Sequence, residues 1–466
     1  MGFILRIIKK TIASFILLLV LSYFIVPPIA NLFVDDVYTN GLSTKMLKSD
    51  QPKSLSFSDD DKILHRALNI DTYLSILGST IWHLPSVAFN YLMIKQKHPK
   101  VLNQSFGVFV DASKAPINRI MQNLDELNIT STAIRIYVTK EYVQSDNYRQ
   151  NLLLAKKLHD SGRSIMLVLA QLYETFSPNL YWTLNKITSD FSDYVDYYQA
   201  GEAINRDKWG VLNKDRFRRY ILSIYQNLSL NDPEAKIVGP AVIDFEWYYT
   251  IYYLNMAEDF IDIQGTLLYV DRVKEPENEQ YGFDTIKKVR LLKAIKPDKP
   301  LWITEVNWPI RGTGEFRPTS KKEAVSIEDY RNYMIRYLIQ VLADGQVKRV
   351  YWWQLHARGY GLIDHTNGKK YPAFDAYKKL ITLLSGSKLT KIEVKDSKYS
   401  YQFKKGEAIF TILWQKDGKT PIKAPIFLKC ISFDDEIKGY TSLIGSTPIV
   451  CGDKLSLEYI DKVIRK

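Results

Sequence analysis

Residues 301–308 read Leu301-Trp302-Ile303-Thr304-Glu305-Val306-Asn307-Trp308. The first four have the composition of a short buried strand. They run directly into an acid, followed by Asn307 and Trp308. A strand that delivers a carboxylate at its C-terminal end is what a parallel α/β barrel offers at its working face. Outward from this stretch the same rhythm recurs. Short apolar runs at Phe106–Val110, Ala133–Val138, Ile165–Leu169, Tyr194–Ala200, Ile237–Pro240, Gly265–Val270 and Val350–Gln354 complete a set of eight. The segments between them carry helix signals. Pro116 suits a first helical turn. Leu152, Leu153, Ala155 and Leu158 lie near one face of Asn147–Leu158. Ser326 with Asp329 resembles a helix start, and Tyr330–Leu342 places Met334, Tyr337, Leu338 and Val341 at helical spacing. Eight strands alternating with helices over about 280 residues predict a (β/α)8 TIM barrel, assigned to residues 101–386. A doubly wound open sheet would want a glycine-rich first turn, and Asp111-Ala112-Ser113-Lys114 is not one.

In such a barrel the chemistry sits at the C-terminal ends of the strands, so the polar residues there are the candidates. Strand two ends Arg135-Ile136-Tyr137. Strand four leads into Gln199-Ala200-Gly201-Glu202-Ala203-Ile204-Asn205-Arg206. Strand six carries Tyr269, and strand eight runs Trp352-Trp353-Gln354-Leu355-His356. Glu202 and Glu305 then face each other across the barrel mouth. Cleavage of a glycosidic bond with retention needs two carboxyls about 5–5.5 Å apart, one attacking and one donating and later accepting a proton. Their environments must differ so that only one is protonated.

At this point Ile303-Thr304-Glu305-Val306-Asn307-Trp308 resembles the strand-seven nucleophile motif of glycoside hydrolase clan A, including its β-xylosidase- and α-iduronidase-like families. The resemblance implies Glu305 as nucleophile, Arg135 as the strand-two arginine beside it, and Tyr269 as the strand-six tyrosine that hydrogen-bonds it. Trp352 and Trp353 correspond to the strand-eight aromatic that floors the sugar subsite. Asn205, Trp308 and Gln354 complete the expected substrate-binding set. Tyr371–Tyr377 resembles the clan's final helix, and the strand ending Ile412-Leu413-Trp414 part of its C-terminal sandwich. The resemblance covers roughly residues 105–460 and implies no metal or organic cofactor.

Strand four departs from the pattern. The clan places Gly-Asn-Glu there, with Glu as acid/base and Asn holding the sugar 2-OH. Anchored on Gln199, Gly201 and Asn205, this chain sets Glu202 where the Asn belongs and Ala203 where the acid/base belongs. A one-residue shift or bulge brings Glu202 to the acid/base position instead; Glu246 is another possible donor. Structural roles compete at the other candidates. Arg135 in an apolar strand needs a buried partner. The four tryptophans at 302, 308, 352 and 353 suit a core, with Trp353 the first choice for the cleft. His356 suits a supporting position, Asp111 can cap a helix, and Asn205 and Arg206 can brace the strand-four loop.

The flanks set the context. Arg6, Lys9 and Lys10 precede an apolar run from Thr11 to Val26, Pro27-Pro28 and a second apolar patch to Val34. This predicts an uncleaved signal anchor over residues 1–36, with a cleaved signal as the alternative, and the bulk facing outward. Residues 37–100 form a linker and a helical arm. Its first helix opens at Asp59–Asp61 and breaks at Pro85; its second covers Val87–Lys97. The arm either packs on the barrel or lies at a membrane interface. From residue 387 the helical period disappears. Lys391–Val394, Lys398–Phe403, Ala408–Trp414, Ile426–Cys430 and Leu455–Tyr459 predict a C-terminal β-sandwich over 387–466. Cys430 and Cys451 are the only cysteines, either bridged or buried as thiols. The net charge of +12 is scattered without a dense basic stripe, which argues against nucleic acid and for a surface near anionic lipid.

These features predict an exported retaining O-glycosidase, anchored in a bacterial inner membrane, acting on envelope or extracellular polysaccharide. A glycan-binding barrel of an export or assembly system that does not cut is the alternative. A membrane-surface interaction protein using the arm is the third reading.

Overall fold

The computed structural model describes residues 68–458 apart from 207–208, 212, 272, 316–317, 321, 418–419, 422–428, 434–442, 454–455 and 457. The expected anchor and linker, and the expected helix start at Asp59, lie outside these residues.

The eight expected barrel strands all form: β1 (Phe106–Phe109), β2 (Ser131–Tyr137), β3 (Ser164–Ala170), β4 (Tyr197–Ala200), β5 (Lys236–Val238), β6 (Gln264–Thr266), β7 (Leu301–Val306) and β8 (Val347–Trp352). They pair in parallel in the order β5-β4-β3-β2-β1-β8-β7-β6. Bridges Val238↔Ile263 and Ile243↔Leu267 join the two ends of that sheet, so the strands close into a barrel. Alternation sorts the side chains. Phe109, Ala133, Met166, Val168, Val238, Trp302 and Tyr351 fill the interior. Ile134, Leu167, Tyr198, Ile303 and Val350 pack outward beneath the helices. The expected helix starts match helices of the structure. Ser326 Oγ accepts from the Asp329 N–H at 3.0 Å at the start of Ile327–Ala343, and Ser145 caps Asp146–Asp160. Pro116 sits one residue earlier than expected, as the N-cap of Ile117–Leu127.

Among the described residues the arm is one helix, Ile70–Met93, running through Pro85 where two helices are expected. Pro85 falls on its exposed side, where the lost backbone bond costs least. Thr72, Ile76, Thr80 and Val87 turn toward the barrel. At the helix start Asn69 Oδ1 accepts from Asn213 Nδ2 at 3.1 Å, and Asp71 pairs with Lys214 at 2.7 Å. Lys214 opens the helix Lys214–Asn231 that follows β4. Near the arm's other end Asn90 Nδ2 donates to the Ala294 carbonyl at 3.0 Å. Beyond it Gln346 Nε2 donates to the Lys95 carbonyl at 2.9 Å. The arm therefore runs down the barrel's flank, from the rim at the strands' C-terminal ends to the opposite end. Among the described residues no helix is long and apolar enough to cross a membrane.

The C-terminal part forms an antiparallel sheet, where the sequence suggests a sandwich. Its five strands run β13 (Lys429–Ser432), β15 (Ile449–Gly452), β11 (Ala408–Gln415), β10 (Lys398–Lys405) and β9 (Lys388–Lys395). Beside it lies a two-stranded ribbon, β12 (Thr420–Pro421) with β14 (Leu443–Ile444). The second layer is the barrel itself: Tyr401, Phe403, Phe410, Ile412 and Trp414 share one buried cluster with the barrel's outer helices. Ser456 and Glu458, within the expected strand Leu455–Tyr459, are helical, because the Asp453 carboxylate accepts from the Ser456 N–H at 2.7 Å.

Cys430 and Cys451 face each other across β13 and β15 and are bridged. Cys430→Ser is expected to lower the sheet's unfolding free energy by about 2–4 kcal/mol, read by denaturant titration with β-sheet circular dichroism.

Candidate active site

Four side chains converge at the C-terminal rim. Arg135 reaches it by regular alternation, since Ala133 two residues earlier also points inward. Glu305 does not. Trp302 is interior and Ile303 exterior, so strict alternation would send Glu305 outward with Ile303. The pairing Ile303↔Val350 followed by Val306↔Trp352 sets three steps of β7 against two of β8. This bulge re-aims the acid into the mouth. Glu202 arrives by a second irregularity. Gly201 has φ 98° and Ala203 φ 45°, which breaks the extended run after β4. A side chain at Gly201 would be strained by that φ and would crowd Ile204 Cγ2 at 2.9 Å and Gln171 Oε1 at 3.2 Å. Gln171 fastens the turn. Its Oε1 accepts from the Glu202 N–H at 3.0 Å, and its Nε2 donates to the Glu202 carbonyl at 2.6 Å. Ala203 is buried in a small apolar cluster with Trp209, Ala241 and Leu267.

Both acids bind the same guanidinium nitrogen: Arg135 Nη2 donates to Glu202 Oε1 and to Glu305 Oε2. The Tyr269 hydroxyl donates to Glu305 Oε1 at 2.5 Å. The Arg135 guanidinium lies 5.5 Å from the ring centres of Phe109 and Trp353 and 5.9 Å from that of Trp209, a cation held among aromatic faces. Burial alone would lower the Arg135 pKa; the charges of Glu202 and Glu305 outweigh it and raise it. Burial raises the Glu202 carboxyl well above the ordinary carboxylate range. Arg135 opposes that rise and Glu305 adds to it. Burial, then Glu305, likewise pushes the Tyr269 phenol up, so it remains a donor. Among the described residues Glu202 Oε2 is buried without a hydrogen-bond partner. The rim thus holds two acids beside one fixed cation.

The remaining candidates separate. Trp353 is half-buried and edge-on to Tyr360 at 5.4 Å; Asn307 holds its position by donating to the Trp353 carbonyl. Gln354 is buried just beyond it, and its carbonyl accepts from the Leu362 N–H at 2.9 Å. Trp308 is a correction. It is fully buried, stacks on Trp352 at 6.0 Å and donates its indole N–H to the Lys274 carbonyl, so it supports the rim from behind. Asn205 is another. Its amide donates to the Ile243 carbonyl and to Glu246, and its oxygen accepts from the Ile243 N–H, which commits it to bracing the loop. Arg206 binds Asp244 at 2.6 Å and Glu246 at 2.8 Å, so Glu246 is held by Arg206 and Asn205. His356 contacts Asn123 at 3.0 Å, and burial pulls its pKa down to about 4. Sequence reasoning missed Gln171 and Trp209. Gln171 directly follows β3, and the rule that found Arg135 would have found it. Trp209 lies nine residues past β4, where no strand-end rule reaches.

No family model and no curated protein matches the chain. Solved structures do. A family 39 glycoside hydrolase from Bacteroides cellulosilyticus WH2 superposes with a TM-score of 0.56 at 13% identity, covering 77% of this chain and 83% of that one. A GH30 endoxylanase from Clostridium papyrosolvens C71 gives 0.53 at 10% identity, covering 77% and 98%. A glycoside hydrolase family 30 subfamily 8 xylanase from Clostridium acetobutylicum gives 0.50 at 11% identity, covering 77% and 97%. At these identities the likeness is one of fold: the chain is a TIM barrel whose structural neighbours are glycoside hydrolases.

Proposed function

We propose that the protein is a retaining O-glycoside hydrolase acting on a cell-envelope or extracellular polysaccharide, with Glu305 as nucleophile and Glu202 as acid/base. The observation that carries this reading is the meeting of Glu202 and Glu305 on Arg135 at the barrel rim. Glu305 attacks the anomeric carbon, steadied by Tyr269 and Arg135. Glu202, whose carboxyl burial pushes upward, gives a proton to the leaving oxygen and then takes one from the attacking water. The glycosidic oxygen must sit between the two carboxyls, so substrate binding draws Glu202 away from the shared guanidinium. Trp353 offers the half-exposed aromatic face for a sugar ring. The basic, apolar N-terminal segment supports attachment to a membrane with the barrel outside.

One observation favours the second reading, a glycan-binding barrel that does not cut. Glu202 and Glu305 are both engaged by one nitrogen of Arg135, and Ala203 carries no acid. Glu202→Gln separates the two. For an acid/base, turnover of unactivated glycosides falls by about 10²–10⁴-fold, and azide restores rate on substrates with good leaving groups. The pH profile supplies the sign. A proton donor with a raised pKa acts at low pH and fails as pH rises through that pKa, so the variant loses the alkaline limb. Unchanged glycan binding without turnover in either protein supports the binder.

A further inference from the structure

The arm helix Ile70–Met93 turns a second apolar face to solvent. Ile70, Leu74, Ile81, Trp82, Phe89 and Leu92 are exposed, Trp82 by 81% and Leu92 by 79%. At 100° per residue they fall on one side of the helix, away from the barrel-facing Thr72, Ile76, Thr80 and Val87. The one acid in the helix itself, Asp71, is paired with Lys214 at 2.7 Å. Directly past the helix Lys95, Lys97, His98 and Lys100 are all exposed. Lys348 is exposed on β8; Lys97 and Lys348 both lie near enough to Lys293 to act on its ammonium, with Asp298 acting in the opposite sense.

We infer that this stripe and its basic end dock on an anionic bilayer surface, with the helix lying flat in the interface and the barrel riding on it. The occupant follows from the chemistry. An aromatic and aliphatic face beside a cluster of lysines fits a surface that is apolar below and negatively charged above, and Trp belongs at that boundary. Such a helix sits about 5–10 Å into the headgroup region. Because the arm runs along the barrel flank from rim to base, docking lays the barrel axis along the membrane plane. The mouth holding Glu202 and Glu305 then opens sideways, over the surface. This placement does not depend on the chemistry at the rim.

The test uses the full chain reconstituted in vesicles, with a fluorophore on Phe89→Cys or on Leu92→Cys, and on Leu153→Cys as the control. Leu153 is exposed on the helix after β2, on the opposite flank. In vesicles of phosphatidylcholine with phosphatidylglycerol, lipid-borne quenchers are expected to quench the probes at 89 and 92 several-fold more than the probe at 153. Aqueous iodide is expected to show the reverse. Removing phosphatidylglycerol, or introducing Lys95→Glu with Lys97→Glu, should reduce lipid quenching at 89 and 92. Iodide quenching at 89 and 92 equal to that at 153 overturns the proposal. So does shielding from both quenchers, which would mean that residues 1–67 or a second copy cover the stripe.

Discussion

Glu305→Gln is expected to cut kcat/KM on aryl glycosides by roughly 10⁴-fold or more, the scale of losing a nucleophile, at every pH tested. The substitution is nearly isosteric. The amide keeps one oxygen able to accept from the Tyr269 hydroxyl or from Arg135, so the rim keeps its shape. It also removes one of two acids crowded on a single guanidinium, so thermal stability is expected to stay level or rise. Glycan affinity should persist, because Trp353 and the rest of the rim are untouched. The combination matters more than the loss alone. Activity that disappears while melting temperature and binding hold assigns chemistry to Glu305. A matching fall in all three would make Glu305 a structural acid.

Arg336→Met is expected to destabilise the chain by about 3–5 kcal/mol, measured by urea unfolding with circular dichroism and tryptophan fluorescence. Arg336 sits in the helix Ile327–Ala343 and is fully buried. It binds the equally buried Glu277, and Glu275 at 2.7 Å. Glu277 also accepts from Gln340 at 2.8 Å and from the Trp414 indole at 2.9 Å. Trp414 belongs to β11, so one carboxylate ties a barrel helix, the loop after β6 and the C-terminal sheet together. Removing the cation leaves a buried carboxylate whose remaining donors, Gln340 and Trp414, are neutral, and that uncompensated charge sets the cost. Adding Glu277→Leu should return part of the loss, because an apolar pair avoids the desolvation of both ions, while the buried Trp414 indole loses its acceptor.

The sequence showed most of the scaffold and only part of the site, for reasons visible in single residues. All eight barrel strands are legible because burial on both faces writes them as short apolar runs. Ser326 is legible because its cap is local. The sequence suggests a break at Pro85 because a proline's cost depends on which side of the helix it occupies, and that is a tertiary fact. Ser456 and Glu458, within the strand expected at Leu455–Tyr459, are helical because of a local cap at Asp453. At the rim, Arg135 follows from alternation. The orientations of Glu202 and Glu305 do not, since each depends on a departure from it: the left-handed residues at Gly201 and Ala203, and the extra step of β7 against β8. A motif told which residues meet; only the backbone irregularities tell how. Trp308 and Asn205 went the other way. Their types suit a sugar site, but their hydrogen bonds are spent on Lys274 and on Ile243 and Glu246.

The most direct test of the account is covalent trapping. The full chain is incubated with a panel of 2-deoxy-2-fluoro glycosyl fluorides, whose glycosyl-enzymes hydrolyse slowly, then digested for peptide mass spectrometry. The account predicts one added fluoro-sugar on Glu305, absent in Glu305→Gln and slow to discharge in Glu202→Gln. A chain that turns over the matching aryl glycoside yet carries the label on another residue, or carries none, would contradict it.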